Sequence, residues 1–190
     1  MGHRTTAELE AALDHIRRAP GDDGHVDLVV SRPANGEREV LSVGVLDAEV
    51  GLVGDNWLER GNRRTPDGSA DPLAQITVIN ARVSRLVAAD PAHRAMVGDQ
   101  LHVDLDLDVA NVPAGSQLAM GTAVIEVTAK MHLGCTKFVD RFGRDAMRFV
   151  NSPQGRALRL RGLNARVVVP GTVRRGDRVR KVRPAPSTGG

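Results

Sequence analysis

The sequence predicts a mainly β protein with peripheral helices, an α+β domain. Two observations carry that expectation. VDLVVS (26–31), LHVDLDLDV (101–109), TAVIEVTAK (122–130) and ARVVV (165–169) show the alternating or continuous apolar pattern of strands, and Pro, Gly and Asn clusters punctuate them. Helical patterns are fewer and shorter, and most sit between strands. The 190 residues suit one domain and are enough to bury a core.

Taken in order, Thr5 caps a first helix and Glu8 completes its capping box. Leu9, Ala12, Leu13 and Ile16 form the apolar stripe, and Pro20-Gly21 stops it. Residues 1–22 are therefore read as a peripheral helix and linker, and 23–183 as the β-rich domain. VDLVVS and REVLSVGVL (38–46) flank the turn signal Pro33-Ala34-Asn35-Gly36 and predict a hairpin. Asn56 to Pro72, rich in Gly, Arg, Asp and Pro, predicts a long loop of the kind that often carries function. QITVI (75–79) predicts a short buried strand, and Asn80 caps a helix with Val83, Leu86 and Val87 inward, ending near Asp90-Pro91.

LHVDLDLDV alternates throughout, predicting one half-buried strand with His102, Asp104, Asp106 and Asp108 on a solvated face. A calcium-loop reading of those aspartates fails, because Val109 stands where glycine is needed and Gly115 where glutamate is needed. Pro113-Ala114-Gly115-Ser116 is a turn, and TAVIEVTAK a strand leading to HLGC (132–135). FVDRFGRDAMRFV (138–150) predicts one helix or two short ones, and Ser152-Pro153 a fresh helix start. ARVVV, Pro170-Gly171 and DRVRKV (177–182) predict a closing hairpin or strand pair, and residues 184–190 a disordered tail. Three Gly-Asp pairs, at 54–55, 98–99 and 176–177, each predict a tight turn.

The net charge of +3 conceals an asymmetry. Residues 130–183 hold fifteen Lys or Arg against three Asp, whereas the remainder holds eleven against twenty acids. Such a field favours anionic ligands. Nucleic acid is the other candidate partner, but the absence of any aromatic residue after Phe149 argues against single-strand recognition. No apolar run approaches the ~20 residues of a membrane span, and MGHRTTAELE lacks the hydrophobic segment of a signal peptide. A cytoplasmic protein without membrane attachment is expected.

Cys135 is the only cysteine, so no internal disulfide can form. It follows Gly134, which can open the backbone, and precedes Lys137 and Arg141. A thiolate acts as nucleophile, sulfur carrier or soft-metal ligand when it is accessible and near positive charge. A purely structural thiol is the competing reading, since free cysteine is often buried. His132 makes a His-x-x-Cys half-site, but a structural zinc needs four ligands and no second cysteine exists, so no structural zinc is expected. A Cys-His hydrolytic dyad would lack a visible orienting group.

Residues 97–143 resemble the MOSC domain family, named for the C-terminal domain of molybdenum cofactor sulfurase. The resemblance rests on the order Gly98-Asp99, a strand, Val112-Pro113-Ala114-Gly115, Leu118, Gly121, an apolar strand and Cys135. GLVGDNW (51–57), QITVIN (75–80) and LRGLNARVVVPGTVRRGDRVR (160–180) extend it over most of the chain. One departure is Gly134, where many relatives have proline.

The resemblance implies a MOSC-type β-barrel and a role with the molybdenum cofactor, a phosphorylated pterin. It implies that Cys135 carries sulfur as a persulfide, or serves as a molybdenum ligand in an oxidoreductase that reduces N-hydroxylated compounds. Arg141, Arg144, Arg148, Arg156, Arg161 and Lys137 become candidates to cradle the phosphate. A separate pyridoxal-phosphate cysteine desulfurase would load the sulfur, and a molybdoenzyme would be the other partner, because no aminotransferase-like domain is visible in these residues.

Overall fold

The computed structural model describes residues 2–88 and 90–182; the tail expected at 184–190 lies outside them. The opening helical segment forms as two short helices, α1 (Thr6–Ala11) and α2 (Leu13–Arg17). Thr5 and Glu8 close the capping box, and Leu9 and Ile16 are the buried contacts. β1 (Gly24–Ser31) follows, then β2 (Glu39–Val40), β3 (Val43–Asp47) and β4 (Gly51–Leu52). The expected hairpin forms only in part. Val30 pairs with Val40 and Ser31 with Glu39, after which the chain departs at Leu41-Ser42 and β3 joins a separate sheet with β4 and β10 (Gly171–Arg174).

The long loop is interrupted by one helical turn, α3 (Trp57–Arg60), and by a 3₁₀ turn at Pro72–Ala74. β5 (Ile76–Asn80) and α4 (Ala81–Val87) come next, joined by the Asn80 cap, whose Oδ1 accepts from Arg82 N at 2.8 Å. β6 (Leu101–Asp104), β7 (Gln117–Met120) and β8 (Ala123–Val127) lead to α5 (Thr136–Asn151), α6 (Pro153–Ala157), β9 (Leu163–Val169), β10 and β11 (Arg178–Lys181). α5 is two helices in one, broken at Gly143 (φ 86°).

Seven strands close a mixed barrel in the order β1-β11-β7-β8-β9-β5-β6 and back to β1, with β5 and β6 parallel and the other pairs antiparallel. Val26, Val29, Ile76, Val78, Val103 and Ile125 belong to the barrel core. A second core, with Leu9, Val83, Phe138, Phe142, Phe149 and Leu160, lies under the helices and meets the barrel at Ile79. β5 is therefore buried on both faces, which explains its unbroken apolar pattern.

Two expectations need correction. LHVDLDLDV is not one strand: β6 ends at Asp104 and the rest turns away. Its polar row is not solvated. His102 is fully buried, Asp104 pairs with Arg82 at 2.7 Å, and Asp106 and Asp108 accept backbone N–H groups while Val109 is exposed. Alternation continued past the strand because irregular chain over a core also places every second residue inward. The C-terminal hairpin is also absent. β9 pairs with β5 and β8, β10 crosses to β3, and β11 closes the barrel between β1 and β7.

Candidate functional site

Between β8 and α5, residues 128–135 form neither helix nor strand and bend at 129–130, and burial alternates along them. Thr128, Lys130, His132 and Gly134 point into the protein; Ala129, Met131, Leu133 and Cys135 are exposed. Each inward residue is held by a contact from elsewhere in the fold. Thr128 Oγ1 donates to Leu73 O at 2.6 Å, Lys130 pairs with Asp71, and its carbonyl accepts from Asn164 Nδ2 at 3.1 Å. His132 Nε2 lies 2.9 Å from Asp99 Oδ1, and Gly134 N donates to Asn151 Oδ1 at 3.0 Å. The clamps leave Cys135 extended (φ −124°, ψ 177°) at the cap of α5, with an exposed free thiol.

Gly134 serves packing rather than an unusual backbone angle, because it is absent from the left-handed region. A Cβ there would lie 2.5 Å from Met147 Sδ, so the glycine lets the loop press against α5. His132 is an anchor. Its ring is spent on Asp99, and burial, with Arg161 adding to it, lowers its pKa against the pull of Asp99. Among the described residues no group of three or more His, Cys, Asp or Glu comes together as a metal site.

Cys135 lines a cleft of about 620 Å³. Arg32, Arg60, Arg64 and Lys130 line it too, with Asp71 the one carboxylate among the described residues and Trp57 and His132 its rings. Arg32 is fixed by a two-pronged ion pair to the buried Asp55, Nε–Oδ2 at 2.7 Å and Nη2–Oδ1 at 2.9 Å. Arg60 and Arg64 have no carboxylate partner among the described residues. Desolvation and then the neighbouring Arg32 hold Arg60 below its usual pKa, as expected of crowded cations.

The turn Met96-Val97-Gly98 orders the arginines behind this cleft. Its three carbonyls accept from three guanidiniums: Met96 O from Arg141 at 2.7 Å, Val97 O from Arg161 at 3.3 Å and Gly98 O from Arg32 at 3.2 Å. Arg38 lies against the same turn, its pKa pushed down to about 10 by burial and by Arg141 and Arg32. Asp99, fully buried, receives Arg161 at 2.6 Å as well as His132. Burial opposes its charge, yet Arg161 and His132 hold its carboxyl well below the usual carboxylate range.

None of the six basic residues named from the sequence lines the cleft that holds Cys135. Lys137 is exposed and donates to Asn35 Oδ1 at 2.6 Å. Arg144 is exposed, and Arg148 lies 3.9 Å from Asp145 on the helix surface. Arg156 and Arg161 line an adjoining pocket on the far side of the 130–133 segment. Part of the positive charge of residues 130–183 is matched by acids that precede it in the chain, as in the pairs Arg161–Asp99, Arg166–Glu126, Arg178–Asp23 and Arg180–Asp23. Segment charge therefore did not locate the site.

The sequence profile of the MOSC domain matches residues 72–180, more than half of the chain. The chain belongs to the MOSC domain family. Solved structures share its fold. The YUAD protein of Bacillus subtilis aligns with a TM-score of 0.56 at 15% identity, over 84% of this chain and 97% of that one. YiiM from Escherichia coli aligns with a TM-score of 0.54 at 18% identity, over 85% and 71%. YiiM from Geobacillus stearothermophilus gives 0.51 at 12% identity, over 87% and 75%. A search of curated protein sequences gives no match.

In this MOSC protein the cleft residues that the sequence did not single out are Arg32 with its anchor Asp55, Lys130 with Asp71, and Arg60 and Arg64. Signals for them existed. The loop from Asn56 to Pro72, of a length that is often functional or mobile, supplies Arg60 and Arg64 to the cleft. Two of the three Gly-Asp pairs bear the buried carboxylates Asp55 and Asp99, with the glycine at positive φ each time.

Proposed function

We propose that this MOSC protein binds the molybdenum cofactor at the cationic cleft and carries sulfur for it on Cys135. The observation that supports this most is the exposed thiol on the wall of a cleft lined by four cations and one carboxylate. The donor set fits the group. Arg60 and Arg64 have no carboxylate partner among the described residues and would take its phosphate, and Cys135 is the thiol of the lining for a metal that arrives with its own pterin ligands. When bound, the cofactor would supply the molybdenum centre that accepts sulfur.

In the loading step the Cys135 thiolate attacks the outer sulfur of a persulfide on a pyridoxal-phosphate cysteine desulfurase. An S–S bond forms at Cys135, the donor's S–S bond breaks, and the electron pair leaves with the donor as its thiolate. The clamps on residues 128–134 hold the accepting sulfur in the open for a macromolecular donor. The alternative, a reductase of N-hydroxylated compounds with Cys135 as molybdenum ligand, uses the same cleft.

The test is intact-mass spectrometry after incubation with a desulfurase and cysteine, beside metal analysis of protein from a host that makes the cofactor. One added sulfur on wild type, absent from Cys135→Ser, is the expected result. Near-stoichiometric molybdenum without any added sulfur would favour the reductase. Neither sulfur nor molybdenum would overturn both.

A further inference from the structure

We infer that the pocket behind the 130–133 segment is a second ligand site, for a small apolar carboxylate. Its volume is about 340 Å³, at the lower end of the roughly 300–1,000 Å³ usual for small-molecule sites. Val109, Val150, Leu163 and Met131 give it apolar walls, and its cations are Arg156, Arg159, Arg161 and Lys130, the last paired with Asp71. No Asp or Glu is among the described residues that line it. An apolar chamber with cations and no acid selects an occupant with an apolar body and one anionic end.

Two further observations point to a ligand. Val109, Met131 and Leu133 are 49%, 63% and 40% exposed, so three large apolar side chains of the lining lie open to solvent. Arg161 is 6% exposed, and its Nε is buried without a hydrogen-bond partner among the described residues. An unpaired buried donor on a pocket wall is an unfilled polar valence. Arg159 is spent on the carbonyl of Val112 at 2.6 Å, which leaves Arg156, held by Nε on Asn151 O at 2.9 Å, as the cation free to meet a carboxylate at the rim.

The site is distinct from the cleft with Cys135, although both use Lys130 to Leu133 as a wall. Its occupant is thus independent of the sulfur-carrier reading, and so is the test. Titration calorimetry on the full chain uses octanoate as probe, with octanol and octylamine as neutral and cationic partners of equal length. Octanoate is expected to bind at one site per chain and at least about tenfold more tightly than octylamine, the weight of one charge-assisted contact.

Ala114→Trp places a ring into the pocket from an exposed position and is expected to abolish binding; Arg156→Ala is expected to weaken octanoate about tenfold and leave octanol unchanged. Equal binding of the three probes, no octanoate binding at all, or octanoate binding unaffected by Arg156→Ala would overturn the proposal. Should Ala114→Trp fail to fold by circular dichroism, Arg156→Ala alone decides.

Discussion

At the scale of single residues, Asp99 does the most structural work around the site. It joins Arg161 and His132 across the base of the 128–135 segment while itself wholly buried. Asp99→Asn keeps the shape but leaves Arg161 buried without a counter-charge. Removing one partner of a buried pair typically costs about 3–5 kcal/mol, so urea unfolding should show a loss of that order. A loss under about 1 kcal/mol, the scale of an exposed pair, would mean that solvent reaches the network. Cys135→Ser is the opposite case. The thiol is exposed and makes no capping bond, so its stability should match wild type within about 0.5 kcal/mol.

At the scale of elements, the path of 128–135 depends on α5 more than on itself. Asn151, at the end of α5, brackets the Gly134 peptide, accepting from its N–H at 3.0 Å and donating to its carbonyl at 3.5 Å. Asn151→Ala removes both contacts. The expected cost is about 1–2 kcal/mol, and hydrogen exchange at the Gly134 amide should accelerate at least about tenfold. Unchanged exchange there would show that the loop is held by its other clamps.

Elements were legible where local chemistry decides them. The Thr5–Glu8 box, the Asn80 cap and the Ser152-Pro153 start all form as the sequence predicts. Pairing was not legible, because strand partners are set by the whole barrel. ARVVV at 165–169 has no local mark that sends Ala165 to β5 and the whole run to β8 instead of back onto DRVRKV. β7 carries no signal of its own, because QLAM (117–120) is too short to show a period. The candidate site was half legible: Cys135 stands out as the one cysteine, whereas the cations opposite it are brought there by long-range folding from positions 32, 60 and 64.

At the scale of the whole molecule, burial of His102 makes stability depend on pH. The ring is fully buried, with Nδ1 3.0 Å from Ser84 Oγ, and burial pushes its pKa down from 6.5 to about 4, although Asp99 pulls the other way. The unfolded chain therefore takes a proton near pH 6.5 that the folded chain refuses until about pH 4. The contribution is complete above pH 6.5 and drains away as pH falls toward 4. Its full size is about 3 kcal/mol. His132, also lowered, acts in the same direction, and Asp99 adds its own loss only in stronger acid. Urea titrations between pH 7 and 4 should show the decline, and His102→Gln should flatten it; an unchanged slope in that variant would assign the effect elsewhere.

The central claim is that one reachable sulfur lies in a cleft whose charges attract anions. The rates at which anionic iodoacetate and neutral iodoacetamide alkylate Cys135 test it most directly, taken as a ratio and referred to the urea-unfolded protein. The account predicts a ratio raised several-fold at low salt, falling toward the unfolded value at high salt, and lowered in Arg60→Ala. A ratio equal to that of the unfolded chain at every salt concentration, or a thiol that neither reagent reaches in the folded protein, would contradict it.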